Sequence, residues 1–124
     1  MSEPTIKYDE MSDTLYVSFA PGETATGVEL NEHILLRVNK DERRAIGLTI
    51  FDYSILAQPT ELGLRSLPLD GLNELSPDLR ELALEILQSS PVQDFLSLSA
   101  FTPSAIEAIP IASLKTTILN RRAA

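Results

Sequence analysis

The sequence predicts an α+β fold: an N-terminal antiparallel β-meander of about five strands, followed by a C-terminal helical segment. Three observations predict it. Much of residues 5–50 alternates apolar and polar side chains with the period of two that marks half-buried strands. The links between these runs are short and turn-rich, which favours antiparallel neighbours because parallel pairs need long crossovers. After Leu56 the alternation stops, and Ser/Thr-Pro steps and helically spaced leucines take over. A chain of 124 residues fits one domain. Residues 1–57 then form a sheet module, and residues 58–124 a linker and helical extension that co-folds with it.

Taken in order, Thr5-Ile6-Lys7-Tyr8 is a short alternating strand closed by the polar turn Asp9 to Asp13. From Thr14 to Phe19, the side chains of Leu15, Val17 and Phe19 share one face and those of Thr14, Tyr16 and Ser18 the other. Pro21-Gly22 punctuates the chain, since Pro fixes φ and Gly allows positive φ. Thr26 to Leu30 and His33 to Val38 follow, the latter with Ile34, Leu36 and Val38 on one side. The polar turn Asn39 to Arg43 leads into a fifth strand in which Ile46, Leu48 and Ile50 alternate.

Residues 57–75 hold Pro59, Gly63, Pro68 and Gly71 among scattered leucines, and read as a linker with at most short helical turns. Ser76-Pro77, Ser90-Pro91 and Thr102-Pro103 each have the form of a helix start, a hydroxyl cap followed by Pro in the first turn. Leu79, Leu82, Ala83, Ile86 and Leu87 follow the i, i+3, i+4, i+7, i+8 template, with Asp78 and Glu81 suited to the positive N-terminal end. This is the clearest helix, and Leu79, Leu82, Ile86 and Leu87 make it a candidate interface helix. Val92 to Leu98 and Pro103 to Ile109 are shorter helical candidates. Ile111, Leu114, Ile118 and Leu119 give a last amphipathic stretch.

The formal net charge is −8, with 18 acids against 10 bases. It is uneven: residues 1–61 carry a net of −6 (11 acids, 5 bases), and residues 62–124 a net of −2. Lys115, Arg121 and Arg122 form a small basic island near the C-terminus. An acidic balance argues against sequence-independent binding to nucleic acid or to an anionic membrane. Residues 1–13 lack the apolar run of a signal peptide, and no apolar stretch approaches a transmembrane span. A reducing cytoplasm is the expected compartment. The lack of cysteine excludes disulfides, thiolate zinc sites and cysteine nucleophiles.

Catalytic patterns are scarce. There is no G-x-x-x-x-G-K-[ST], no G-x-G-x-x-G and no G-x-S-x-G. His33 is the single histidine, so two-histidine metal sites cannot form within one chain; it reads as an edge or turn residue. The densest acidic feature is Asp9-Glu10-x-x-Asp13. Carboxylates in one turn suit Mg²⁺ or Ca²⁺, yet the spacing is not that of a calcium loop. The competing role is an Asx turn, in which Asp9 and Asp13 accept backbone N–H groups. Asp52 ends the fifth strand and joins Asp9 and Asp13 in an acidic surface patch if the strands meet at one sheet end. No catalytic residue, metal ligand or cofactor is expected.

Tyr8-Asp9-Glu10-x-x-Asp13-x-Leu15-Tyr16-Val17 resembles the opening of a family of small bacterial proteins, domain of unknown function 2283, which reads Y-D-x-x-x-D-x-L-Y-[IV]. The family's closing pattern, [IV]-G-[IL]-x-[IL]-x-D-x-S, stands here as Ile46-Gly47-Leu48-Thr49-Ile50-Phe51-Asp52-Tyr53-Ser54. The likeness spans residues 5–56. One departure is the turn before Ile46, where Lys40-Asp41-Glu42-Arg43-Arg44 lacks the usual Gly. The resemblance implies a small antiparallel sheet and no established activity. Some members look like partners of small toxin-like proteins, which implies an antitoxin-type role.

The leading expectation is a small acidic non-enzymatic protein acting through protein–protein interaction, a homodimer whose helices supply core or interface. An alternative is an antitoxin-like neutraliser of a small basic partner, matched by charge. A carboxylate or metal-dependent enzyme using Asp9, Asp13 and Asp52 is a third reading. Exchange of the helical part between two copies through residues 57–75 is a further option.

Overall fold

In the computed structural model of the chain the described residues are 4–58, 61, 65–104 and 107–115. Strands β1 (Thr5–Asp9), β2 (Thr14–Ser18), β3 (Thr26–Glu29), β4 (Ile34–Asn39) and β5 (Arg44–Phe51) form one antiparallel sheet. They fall where the alternation places them. Their spatial order, β1-β2-β5-β4-β3, departs from a simple meander. β3, β4 and β5 follow one another through hairpins, and β2 lies beside β5, as in a Greek key. The β2–β3 connection therefore passes the end of β5, where Phe19 N–H and Ala20 N–H donate to the Ile46 carbonyl (2.8 and 3.3 Å).

The alternation has one purpose. Leu15, Val17, Val28, Ile34, Leu36, Val38, Leu48 and Ile50 all bury their side chains in one core. A bulge between Arg37 and Val38 keeps Val38 opposite Ala45, so the apolar register survives the irregularity. At the β4–β5 turn, the Asn39 carboxamide oxygen accepts from Glu42 N–H (2.9 Å), and Arg43 adopts the left-handed region (φ 52°). Arginine thus takes a conformation that glycine adopts more readily, and its side chain reaches Glu85 (2.5 Å).

The chain continues as a single turn, α1 (Tyr53–Leu56), then β6 (Leu67–Pro68), a 3₁₀ turn at Asp70–Glu74, α2 (Pro77–Leu87), a second 3₁₀ turn at Val92–Asp94, β7 (Leu96–Ser104) and β8 (Glu107–Leu114). The first Ser-Pro step is a helix start: Ser76 Oγ accepts from Leu79 N–H (3.4 Å), and Pro77 opens the helix. The other two are not. The sequence pattern suggests helix for Val92 to Leu98, Pro103 to Ile109 and the stretch from Ile111, and the described part of each is instead 3₁₀ turn or strand. The physical reason is a period of two. Ser97 and Ser99 alternate with Leu96 and Leu98, and Ile111 and Ser113 alternate with the buried Ala112 and Leu114. The spacing of Ile111 and Leu114 fits a helix only by coincidence. Thr102-Pro103 sits at a register irregularity near the far end of β7, a position that tolerates proline. Pro59, Gly63, Ile118, Leu119, Arg121 and Arg122 lie outside the described residues.

β6, β8 and β7 make a second antiparallel sheet in that order. Leu82, Ala83, Ile86 and Leu87 of α2 are buried in the same cluster as Leu67, Leu96, Ala112, Leu114 and the first sheet's inner face, while Leu79 is half-buried at its margin. The proposed interface helix thus lays its apolar face on the chain's own sheet. The first sheet's opposite face bears Lys7, Tyr16, Gly27, Glu29 and Phe51, all exposed. Among the described residues, no helix is long and apolar enough to cross a membrane.

Candidate functional site

Three acids singled out in the sequence stand near one end of the first sheet, and each has a different partner. In the β1–β2 turn, Asp9 Oδ1 accepts from Met11 N–H (3.0 Å), an Asx turn that serves only the turn itself. Asp13 takes the left-handed conformation (φ 52°), which a short polar side chain tolerates. Its carboxylate then accepts three hydrogen bonds: from the Tyr8 hydroxyl (2.6 Å), from Ser54 N–H (3.0 Å) and from Ser54 Oγ–H (2.7 Å). Its carbonyl accepts Tyr53 N–H (3.0 Å). Asp13 thereby ties the first hairpin to the first turn of α1, across 41 residues of chain. Tyr53 is fully buried, with its ring centroid 5.7 Å from that of Tyr8.

Asp52 also adopts positive φ (56°), and so turns the chain from β5 into α1. Its Oδ2 lies 3.1 Å from His33 Nδ1, while Glu32 Oε1 lies 3.4 Å from His33 Nε2. One carboxylate on a histidine is half of a catalytic relay, but here Glu32 faces the second ring nitrogen, and the serine beside Asp52, Ser54, donates its hydroxyl to Asp13. Asp9, Asp13 and Asp52 therefore serve a turn, a long-range clamp and a histidine contact respectively. Among the described residues, no group of three or more acids and histidines is placed to hold a metal ion.

Next to His33, the buried Asn31 is a second tie. Its carboxamide oxygen accepts from His33 N–H (2.7 Å) and Ile34 N–H (2.9 Å), and its Nδ2 donates to the Pro68 carbonyl (2.8 Å). Gly71 N–H donates to the Leu30 carbonyl (2.8 Å), an approach so close that a Cβ at Gly71 would fall 2.7 Å from that oxygen. Between these ties runs an open groove of about 690 Å³ whose walls include Glu29, Glu32, His33, Asp70 and Glu74.

A different kind of feature stands on the outer sheet face. Arg37 on β4 is flanked in register by Gly47 on β5 and Gly27 on β3. Its guanidinium lies across Gly47, in the space a Cβ there would fill. The Arg37 Nε is buried and has no hydrogen-bond partner among the described residues. Elsewhere on the same face, Tyr16 and Phe51 are 40% and 39% exposed. Sequence reasoning missed both Arg37 and the His33–Asp52 contact. The signals were a cation set in an otherwise apolar strand and the Gly47 of the closing motif.

No curated protein and no solved structure matches the chain. Residues 5–54, from β1 into the turn that Asp13 clamps, match the family model described as "Protein of unknown function (DUF2283)".

Proposed function

We propose that this chain is a non-enzymatic protein that acts through protein–protein contact, as a homodimer in the cytoplasm. The observation that carries the reading is the outer face of the first sheet, where Tyr16 and Phe51 are exposed and the half-buried Arg37 has no ion-pair partner among the described residues. Exposed aromatic and arginine side chains are the types enriched at the centres of interfaces. The use of Tyr8, Asp13 and Ser54 in holding the fold also supports it, since these motif residues direct their polar groups at one another. Sedimentation equilibrium tests the proposal. A mass that rises towards twice 13.6 kDa with concentration is expected, and a strict monomer that recovers no partner would overturn it.

The acidic groove favours a second reading, an antitoxin-like neutraliser of a small basic protein. Glu29, Glu32, Asp70 and Glu74 line it and complement a cationic surface. Co-purification with the product of an adjacent reading frame, lost at high salt, would establish this role; a salt-insensitive or absent complex would remove it.

A further inference from the structure

We propose that the second copy docks on the outer face of the first sheet, about a twofold axis that sets Arg37 of each chain against Glu29 of the partner subunit. This rests on the homodimeric reading above and names its surface.

Arg37 is the starting point. A guanidinium carries five N–H donors and no acceptor, and a buried donor without a partner is an exception that asks for a cause. Here the Nε is enclosed by the chain itself without an acceptor, and no acid among the described residues pairs with the guanidinium, although the chain carries 18 acids. Arg37 does not turn to its neighbour Glu29, one strand away and two positions along the register; it lies the other way, over Gly47. Glu29 in turn is exposed and makes no ion pair among the described residues. One cation and one anion thus stand close together on the same face, each without a mate.

A twofold axis converts that arrangement into a complementary one. In an isologous contact, residue i meets j and j meets i. Leu35 pairs with Glu29 in the register and precedes Arg37 by two positions, so it sits between the two charges, leaning over Gly27. An axis near Leu35 exchanges the two charges and places Leu35 on its own copy. Two reciprocal ion pairs then flank a small apolar centre, with Tyr16 further out.

Charge selects a second copy as the occupant. Two chains of net −8 repel one another over most of their surfaces. By strand alternation the outer face presents Lys7 and Arg37 against Asp9 and Glu29, a sum of zero. It is a surface on which two acidic copies approach without that penalty. Its extent sets the strength. Five strands about 4.8 Å apart and about 5 residues long cover roughly 400 Å² per chain in projection. Over both chains that is about 800 Å², below the ~1,200 Å² of stable specific interfaces, so a weak contact with a dissociation constant in the micromolar range or above is expected.

The test is sedimentation equilibrium on the wild type, Arg37→Glu, Glu29→Arg, the double exchange and Tyr16→Lys, with circular dichroism to verify folding. Each single exchange should weaken the dimer at least tenfold, about 1.4 kcal/mol, and the double exchange should restore much of it. Tyr16→Lys, which leaves the ion pairs in place, should weaken it as well. If the wild type dimerises and every folded variant dimerises equally well, the surface is wrong while the homodimer stands. If the wild type stays monomeric throughout, the homodimer falls and this surface with it.

Discussion

Replacing Asp13 by alanine removes three hydrogen-bond acceptances in one step: the Tyr8 hydroxyl and both donors of Ser54. Hydrogen bonds to a charged group contribute about 1.5–3 kcal/mol each when isolated, but bonds that share one carboxylate are not additive. Asp13 is half-buried, so water re-satisfies some donors. Roughly 3 kcal/mol is a reasonable loss for the set. Alanine at φ 52° adds about 1 kcal/mol, because its Cβ crowds the following carbonyl. Asp13→Ala should therefore lose about 3–5 kcal/mol, a large part of a small domain's stability. Asp13→Gly removes the same bonds without the φ penalty and should lose about 1 kcal/mol less. Asp13→Asn keeps one acceptor oxygen and tolerates the conformation, so it should be the mildest. Urea unfolding gives the order directly, through midpoints at constant slope. An Asp13→Ala variant within about 0.5 kcal/mol of wild type would refute the clamp.

Three further outcomes follow from packing and hydrogen bonding. Asn31→Ala should cost about 2–3 kcal/mol, since it strands two N–H groups at the β3–β4 turn and the tie to Pro68, read by urea unfolding. Gly47→Ala pushes a methyl group into the Arg37 guanidinium and to 2.7 Å from the Val17 carbonyl. The guanidinium can move and the carbonyl cannot, so a loss of about 1–3 kcal/mol is expected in thermal melts. Leu82→Ala, 3% exposed on α2, should lose about 2–5 kcal/mol. That loss should not vary with protein concentration, because α2 packs on its own chain; a concentration-dependent loss would point to exchange between copies.

Much of the first sheet was legible because its strands obey a strict period of two with short polar turns between them. Their order was not. The pairing of β2 with β5 joins residues more than 30 positions apart, Leu15 with Ile50, and no local pattern announces it. The three helical readings after Leu87 failed for a related reason. Ser-Pro caps and apolar spacing fit the sequence locally, whereas the β7–β8 pairing that decides the structure is set across the hairpin. Ser76-Pro77 succeeded because five apolar residues behind it share one helical face and find a core to cover.

The site divides in the same way. Asp9 was legible as an Asx residue, since its partner is two residues away. Asp13 was legible as a turn residue but not as a clamp, because Ser54 stands 41 residues on. The closing D-x-S pattern now has a physical content: Asp52 turns the chain and meets His33, and Ser54 gives Asp13 two donors. The missing glycine in the β4–β5 turn also has one, since Arg43 holds the left-handed conformation there. Leu82, Ile86 and Leu87 were singled out for an interface, and their burial in the core shows that a helix face alone does not tell one's own sheet from a neighbour's.

If Asp13 holds the fold and a second copy docks on the outer sheet face, an amide NMR concentration series shows both, because it reports every described strand at once. As concentration rises through the micromolar range, the amides of Tyr16, Leu35, Arg37 and Gly47 should shift together, while those of Asp13 and Ser54 stay fixed. Shifts gathered on Asp9, Asp13 and Asp52, or on the β7 edge, with the outer face unmoved, would contradict that docking.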